Sequence, residues 1–184
     1  NKKANMNIVA HYESILLRRS WGFRVFAVIS LLSITLLQYI LQGGAGTAWH
    51  RIALPSSIPW LNTYLFTIAQ SIMVVLVVAE ITTRDKRSDT LSVFHVRPLS
   101  NLKYIIGRAR GIAKVFIELN LIALLLALGI NLWGSPSPLD PWLYLFYLIT
   151  YSLPSLLFMI GLSLLVARWI KHQSLILFVL LTYV

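Results

Sequence analysis

Apolar residues come in long blocks along this chain. Four of them, 23–42, 61–79, 112–133 and 142–167, carry few charges. A hydrocarbon core about 30 Å thick takes about 20 helical residues to cross, so each block predicts a membrane span. A fifth block, 173–184, reaches the last residue; as a helix its length rises only about 18 Å, too little to cross. The chain therefore reads as a piece of a longer protein, incomplete at its C-terminus; it opens on Asn1, and Met6 is a candidate start that would make 1–5 foreign. Ahead of the first block the period changes. Ile8, Tyr12, Ile15 and Leu16 fall on one face of a helix, and Asn7, His11, Ser14 and Arg18 on the other. With Arg18, Arg19 and Trp21 at its end, 7–21 predicts an amphipathic helix lying in the membrane interface. The fold class expected is an all-α polytopic helix bundle: four complete spans and a truncated fifth, preceded by an interfacial helix.

Composition agrees and adds a direction. The chain is 58% hydrophobic and 12% charged, with a mean hydropathy of +0.75, outside the range of soluble domains. A net charge of +10 would suggest nucleic acid in a soluble protein, but its placement argues against that partner. Fourteen Lys and Arg precede the first block or sit at its edge as Arg24 does, fill 81–111, or follow the fourth block, whereas the opposite loops hold only Arg51. By the excess of basic residues on the inner side, the N-terminus and 81–111 are expected in the cytoplasm of a multi-pass cell-membrane protein, such as one of a bacterial inner membrane. The absence of Cys removes disulfides, thiolate metal sites and cysteine nucleophiles.

Polar groups inside the blocks are the next signal. Lys114 and Glu118 are four apart in the third block, so they share a helix face and can pair. Glu118 lies deep enough that an unpaired charge there costs about 2.5–3.5 kcal/mol. Glu80 ends the second block and is expected to pair with a basic residue of the loop or of the N-terminal helix. Asn120 and Asn131 can bond neighbouring helices. In the fourth block Pro154 predicts a kink, and Gly161 and Ser163 permit close helix approach.

The densest chemistry lies in 81–111. Ser88 or Asp89 can cap a short helix that must stop before Pro98, and Ser100 can cap another running into the third block. Leu91 and Phe94 give the short helix an apolar edge among charges, suited to a groove on a soluble partner. In order, Glu80 is followed by Arg84 beside Asp85, then Arg87, Asp89-Thr90-Leu91, Arg97-Pro98-Leu99-Ser100 and Gly107-Arg108. This series resembles the coupling loop of the permease subunits of ABC transporters of the type-2 exporter class, although Asp89 stands where Gly is commoner and Arg108 replaces the usual Lys. The resemblance covers essentially the whole chain, as about five of the usual six spans. The short first external loop makes it similar to the nodulation-export and copper-enzyme-maturation permeases.

What the resemblance implies is a membrane permease that couples ATP hydrolysis on a partner to substrate movement. No GxxxxGK[ST] occurs, so no cofactor is expected on this chain; ATP and Mg would belong to a cassette ATPase on another chain or a missing segment. The partners implied are that ATPase, a second permease copy or homologous half, and the lipid bilayer. Leu91 and Phe94 would be the buried anchor of the ATPase contact. Arg84, Asp85, Arg87, Asp89 and Arg97 would fix its register, with Thr90 and Pro98 completing the motif. A secondary transporter or a non-transporting membrane scaffold is the alternative, with 81–111 then setting topology and meeting anionic lipid. An enzyme is not expected: His11, His50, His95 and His172 all lie outside the blocks, so no intramembrane acid–base or metal site can be assembled.

Overall fold

The computed structural model describes residues 2–40, 57–87, 101–134, 140–170, 177–180 and 182, and among them every regular element is helical. Helix α1 is Lys2–Arg19, α2 Trp21–Tyr39, α3 Ser57–Arg87, α4 Asn101–Gly134, α5 Pro141–Tyr147 and α6 Leu153–Trp169. A single π turn, Leu148–Ser152, joins α5 to α6, so the two form one interrupted rod. Four helical stretches are long and apolar enough to cross a membrane: Trp21–Tyr39, Ser57–Thr82, Leu102–Trp133 and Pro141–Trp169. They coincide with the four blocks, and two are longer than expected. The fifth block, 173–184, lies largely outside the described residues.

Side-chain contacts give the helix directions. Phe23 meets Phe116 and Gln38 meets Ala127, so α2 and α4 run the same way. Asn131 meets Tyr144 while Asn120 meets Ser152, so the fourth span runs opposite to α4. Span α3 opposes α4 too, with Gln70 at Asn120 and Asn62 close to Ala127 across a cavity. Among the described residues the four long apolar rods form an up-down bundle.

Span α3 is the most enclosed. Val74, Val75, Val77, Val78 and Ala79 are all buried, against Leu156, Met159 and Ile160 of α6 in the same core. A helix that is apolar on nearly every side can be buried on nearly every side. The other spans leave an apolar stripe outward: Val28, Ile29, Leu32 and Leu36 on α2, and Leu121, Ile122, Leu125 and Leu132 on α4. Trp21, Trp60, Trp133, Trp142 and Trp169, each at a span end, are exposed, the placement of an aromatic belt at headgroup depth. Asp140 caps α5, its carboxylate accepting from the Trp142 N–H at 3.0 Å.

Two details of the fourth span differ from expectation. The interruption at Pro154 takes the form of a π turn ending two residues before it, with the Leu153 N–H donating to Leu148 O five residues back. A proline without an N–H leaves a carbonyl unpaired, and a wider turn is one way a span absorbs that. Gly161, expected at a close helix contact, faces open space. The buried small residue on that span is Ser163.

Candidate functional site

Helices α3 and α4 both run past the lengths read from the apolar blocks. Span α3 does not stop near Glu80 but continues to Arg87, and α4 begins at Asn101, directly after the expected cap Ser100. At 1.5 Å per residue their 31 and 34 residues are about 46 and 51 Å long, against a core of about 30 Å. Both therefore extend well beyond one face of the bilayer, or tilt steeply within it. Arg84, Asp85 and Arg87 lie on the last turns of α3. Asp89, Thr90, Leu91, Phe94, Arg97 and Pro98, with the short helix expected to carry them, lie outside the described residues. Two helix ends thus flank 88–100 and form what we term the charged end of the bundle.

At that end α1 is strapped along α4. Gly107 and Gly111 open a flat strip four residues long. A Cβ on Gly107 would come 3.1 Å from Met6 O and Val9 Cβ, and one on Gly111 would come 2.7 Å from Ala10 O and 2.9 Å from Glu13 Cβ. Beside the strip, Arg108 Nε donates to Glu13 Oε1 at 3.1 Å, with side chains only 9% and 5% exposed. The same guanidinium donates to Tyr104 Oη at 2.6 Å and lies 4.8 Å from the ring centre. Further along, Arg18 pairs with Glu118, and Arg24 Nε donates to Arg18 O at 3.0 Å.

Contacts therefore advance in step, Val9 at Gly107, Glu13 at Gly111 and Arg18 at Glu118. The expectation was a helix lying in the plane of the membrane surface. The glycine strip and the ion pairs lay α1 along α4 from Gly107 to Glu118. Its apolar residues Ile8, Tyr12 and Ile15 remain exposed, while Glu13, Ser14 and Leu17 face the protein.

The ionic partners also differ from the sequence reading. Glu118 takes Arg18, a hundred residues away, rather than Lys114, which is exposed and has no ion pair among the described residues. A single helix turn offers Glu118 one candidate, but α1 delivers a longer guanidinium from the side. Glu80 is exposed and has no ion pair among the described residues; the side chains of the nearby basic residues Arg84, Lys86 and Arg87, expected as its partners, lie outside them. The sequence signal that was missed is the spacing Gly107-x-x-x-Gly111, the pattern that lets membrane helices approach closely, together with Glu13.

Deeper in the bundle a second polar feature closes on itself. Ser152 Oγ donates to Asn120 Oδ1 at 2.6 Å, Asn120 Nδ2 to Gln70 Oε1 at 2.8 Å, and Gln70 Nε2 to Ser152 Oγ at 3.0 Å. All three residues are buried, and the ring joins α3, α4 and the π turn. Gln70 Nε2 also reaches Ser152 O at 3.3 Å, and Asn120 Nδ2 reaches Phe116 O at 2.8 Å. Nearer the opposite end, Asn131 Nδ2 donates to Tyr144 Oη at 3.1 Å and Gln38 Nε2 to Ala127 O at 3.3 Å. Between the two layers Asn62 is buried with neither amide atom bonded. It borders a cavity of about 30 Å³ that Tyr144 and Asn120 also line, enough for a water at the ~10–15 Å³ each requires.

This arrangement holds helices together and positions helix ends. Among the described residues no three His, Asp or Glu side chains converge as metal ligands would. No known protein family, curated protein or solved structure matches the chain.

Two outcomes test these contacts. Gly111→Val should detach α1 at the cost of about 1–3 kcal/mol typical of overpacking, and Arg108→Met, which strands Glu13, about 3–5 kcal/mol. Both would appear as lower melting temperatures in a lipid nanodisc, with Lys114→Gln unchanged. Asn120→Leu opens the polar ring and leaves two buried partners short of a bond, which at about 1–3 kcal/mol per unsatisfied group should exceed the effect of Ser33→Ala, whose hydroxyl only bonds its own helix.

Proposed function

We propose that this chain is the membrane permease part of an ATP-driven exporter of the type-2 ABC class, with its N-terminus and charged end in the cytoplasm. The observation that carries the reading is the pair of long helices flanking 88–100. One of them, α4, is continuous from Asn101 through the third span and is braced by α1 from Gly107 to Glu118. A force applied to 88–100 by a soluble ATPase would pass into the membrane without crossing a hinge in that helix. The motif order from Glu80 to Arg108 supports the same reading. Arg108, at the position where the family favours Lys, holds Glu13 and so joins the loop's exit to α1. Leu91 and Phe94 would seat in the ATPase, with Arg84, Asp85, Arg87, Asp89 and Arg97 around them. ATP and Mg would be held by that partner.

Orientation is tested first. The chain has no Cys, so single cysteines report cleanly: Ser57→Cys should react with an impermeant maleimide on intact cells, and Ser92→Cys only after permeabilisation. Reversed labelling would remove the cytoplasmic placement.

The coupling contact is tested by two substitutions in the full protein. Phe94→Ala removes an interface anchor, and truncations of that kind cost roughly 2 kcal/mol or more, about thirtyfold in affinity. Pull-down of the cassette ATPase and ATP-driven transport should be lost while membrane levels hold. Lys86→Gln trims a charge expected at the rim of the contact and should change affinity by less than about 1 kcal/mol. If Lys86→Gln abolishes ATPase capture and Phe94→Ala does not, the segment is a topological and lipid-binding loop.

A further inference from the structure

A groove of about 190 Å³ lies between α3 and the fourth span, more than ten times the ~10–15 Å³ that one water requires. Thr67 and Ser71 line one side, and Tyr151, Ser155 and Phe158 the other. Thr67 and Tyr151 are each ten residues from the start of their span, about 15 Å along the helix and so near the middle of the bilayer. Thr67 Oγ1 donates to Thr63 O at 2.7 Å and Ser71 Oγ to Thr67 O at 2.8 Å. Those two hydroxyls consequently face the groove as acceptors. The hydroxyls of Tyr151 and Ser155 have no hydrogen-bond partner among the described residues, and are free to donate. No charged residue lines the groove.

An aromatic stack leads into it. Trp60 and Tyr64 lie 5.3 Å apart at 10°, and Tyr64 and Tyr151 6.3 Å apart at 30°. All three rings are partly exposed. On α3, Trp60, Tyr64, Thr67 and Ser71 fall at i, i+4, i+7 and i+11, so the stack and the hydroxyls occupy one continuous face. Hydrocarbon offers such groups no hydrogen bond, and leaving them in it is costly. The companion groove between α2 and α3 is more apolar, with Phe26, Ile29, Leu37 and Leu65 outnumbering Ser30, Ser33 and Asn62.

We infer that the groove between α3 and the fourth span binds the neutral, hydroxyl-bearing head of an amphiphile, with its alkyl chain against the exposed apolar surface beside Phe158. Free donors and acceptors without any ionised group select a polar but uncharged head, and disfavour an anionic or cationic one. The amphiphile as cargo rests on the exporter reading; its binding does not.

The test uses the full chain in phosphatidylcholine nanodiscs, without any ATPase, carrying Ser155→Cys. The probes are an alkyl glucoside, an alkyl sulfate and an alkyl trimethylammonium of equal chain length. The glucoside should slow maleimide modification of the cysteine, and the two charged probes should not. Adding Tyr151→Phe and Ser71→Ala should weaken that protection about tenfold, as expected for losing one or two hydrogen bonds, with the melting temperature unchanged. A glucoside carrying a diazirine on its sugar should label Tyr151 to Met159 in the protein with native Ser155. Equal protection by all three probes, or by none, overturns the proposal. So does a Ser155→Cys disulfide between two copies that the glucoside does not prevent, which would make the groove a contact between copies. Protection by the glucoside in a protein that captures no ATPase would leave this site standing and remove the exporter reading.

Discussion

Everything at the charged end depends on how closely α1 approaches α4. Two glycines four residues apart remove the side chains that would hold the helices apart, and the 2.7 Å between a hypothetical Gly111 Cβ and Ala10 O leaves no room for even a methyl group. That approach is what buries Glu13 and Arg108 together. Taken from water separately, each ion would cost several kcal/mol. Side by side, with Tyr104 accepting a second guanidinium N–H, the charge is compensated and its hydrogen bonds are directed. The pair in turn fixes the register of α1, because sliding by one residue would put Glu13 out of reach and drive a side chain into the glycine strip.

The membrane interior solves a different problem by related means. Lipid chains are as apolar as Leu, so burial of apolar side chains does not by itself hold spans together. Shape and hydrogen bonding must do so. Helix α4 contributes to both polar layers, through Asn120 at the closed ring and Asn131 at the Tyr144 hydroxyl. On its neighbouring sides Phe116 meets Phe23 and Phe26. The π turn before Pro154 belongs to the same economy of backbone bonds, since Ser152, its last residue, offers both its hydroxyl and its carbonyl to Gln70.

Much of this was legible in the sequence. The four long apolar helices, the break at Pro154, the start of α4 after Ser100 and the interhelical roles of Asn120 and Asn131 follow from block length, proline chemistry and the cost of buried amides. The partner of Glu118 did not follow, because periodicity ranks only residues on the same helix, and Arg18 arrives from another. The packing of α1 on α4 did not follow for a similar reason: an apolar stripe tells which face avoids water, not what the opposite face is packed against. Gly107 and Gly111 carried the missing information in plain view. Gly161 shows why such spacing has to be read together with a partner helix, since a glycine facing open space brings nothing closer.

These contacts bear on how a push at 88–100 would travel. A lone helix end projecting from a bilayer bends or frays within its last turn, so a force there would dissipate before reaching the span. Helix α4 is not alone there: α1 lies against it from Gly107 to Glu118, and an ion pair closes each end of that contact. Beyond Glu118 the next polar contact of α4 is the ring of Gln70, Asn120 and Ser152. A small shift of α4 at that level must either carry α3 and the π turn with it or break hydrogen bonds that lipid cannot replace. The polar ring would then serve as the joint that makes two opposed spans follow the third.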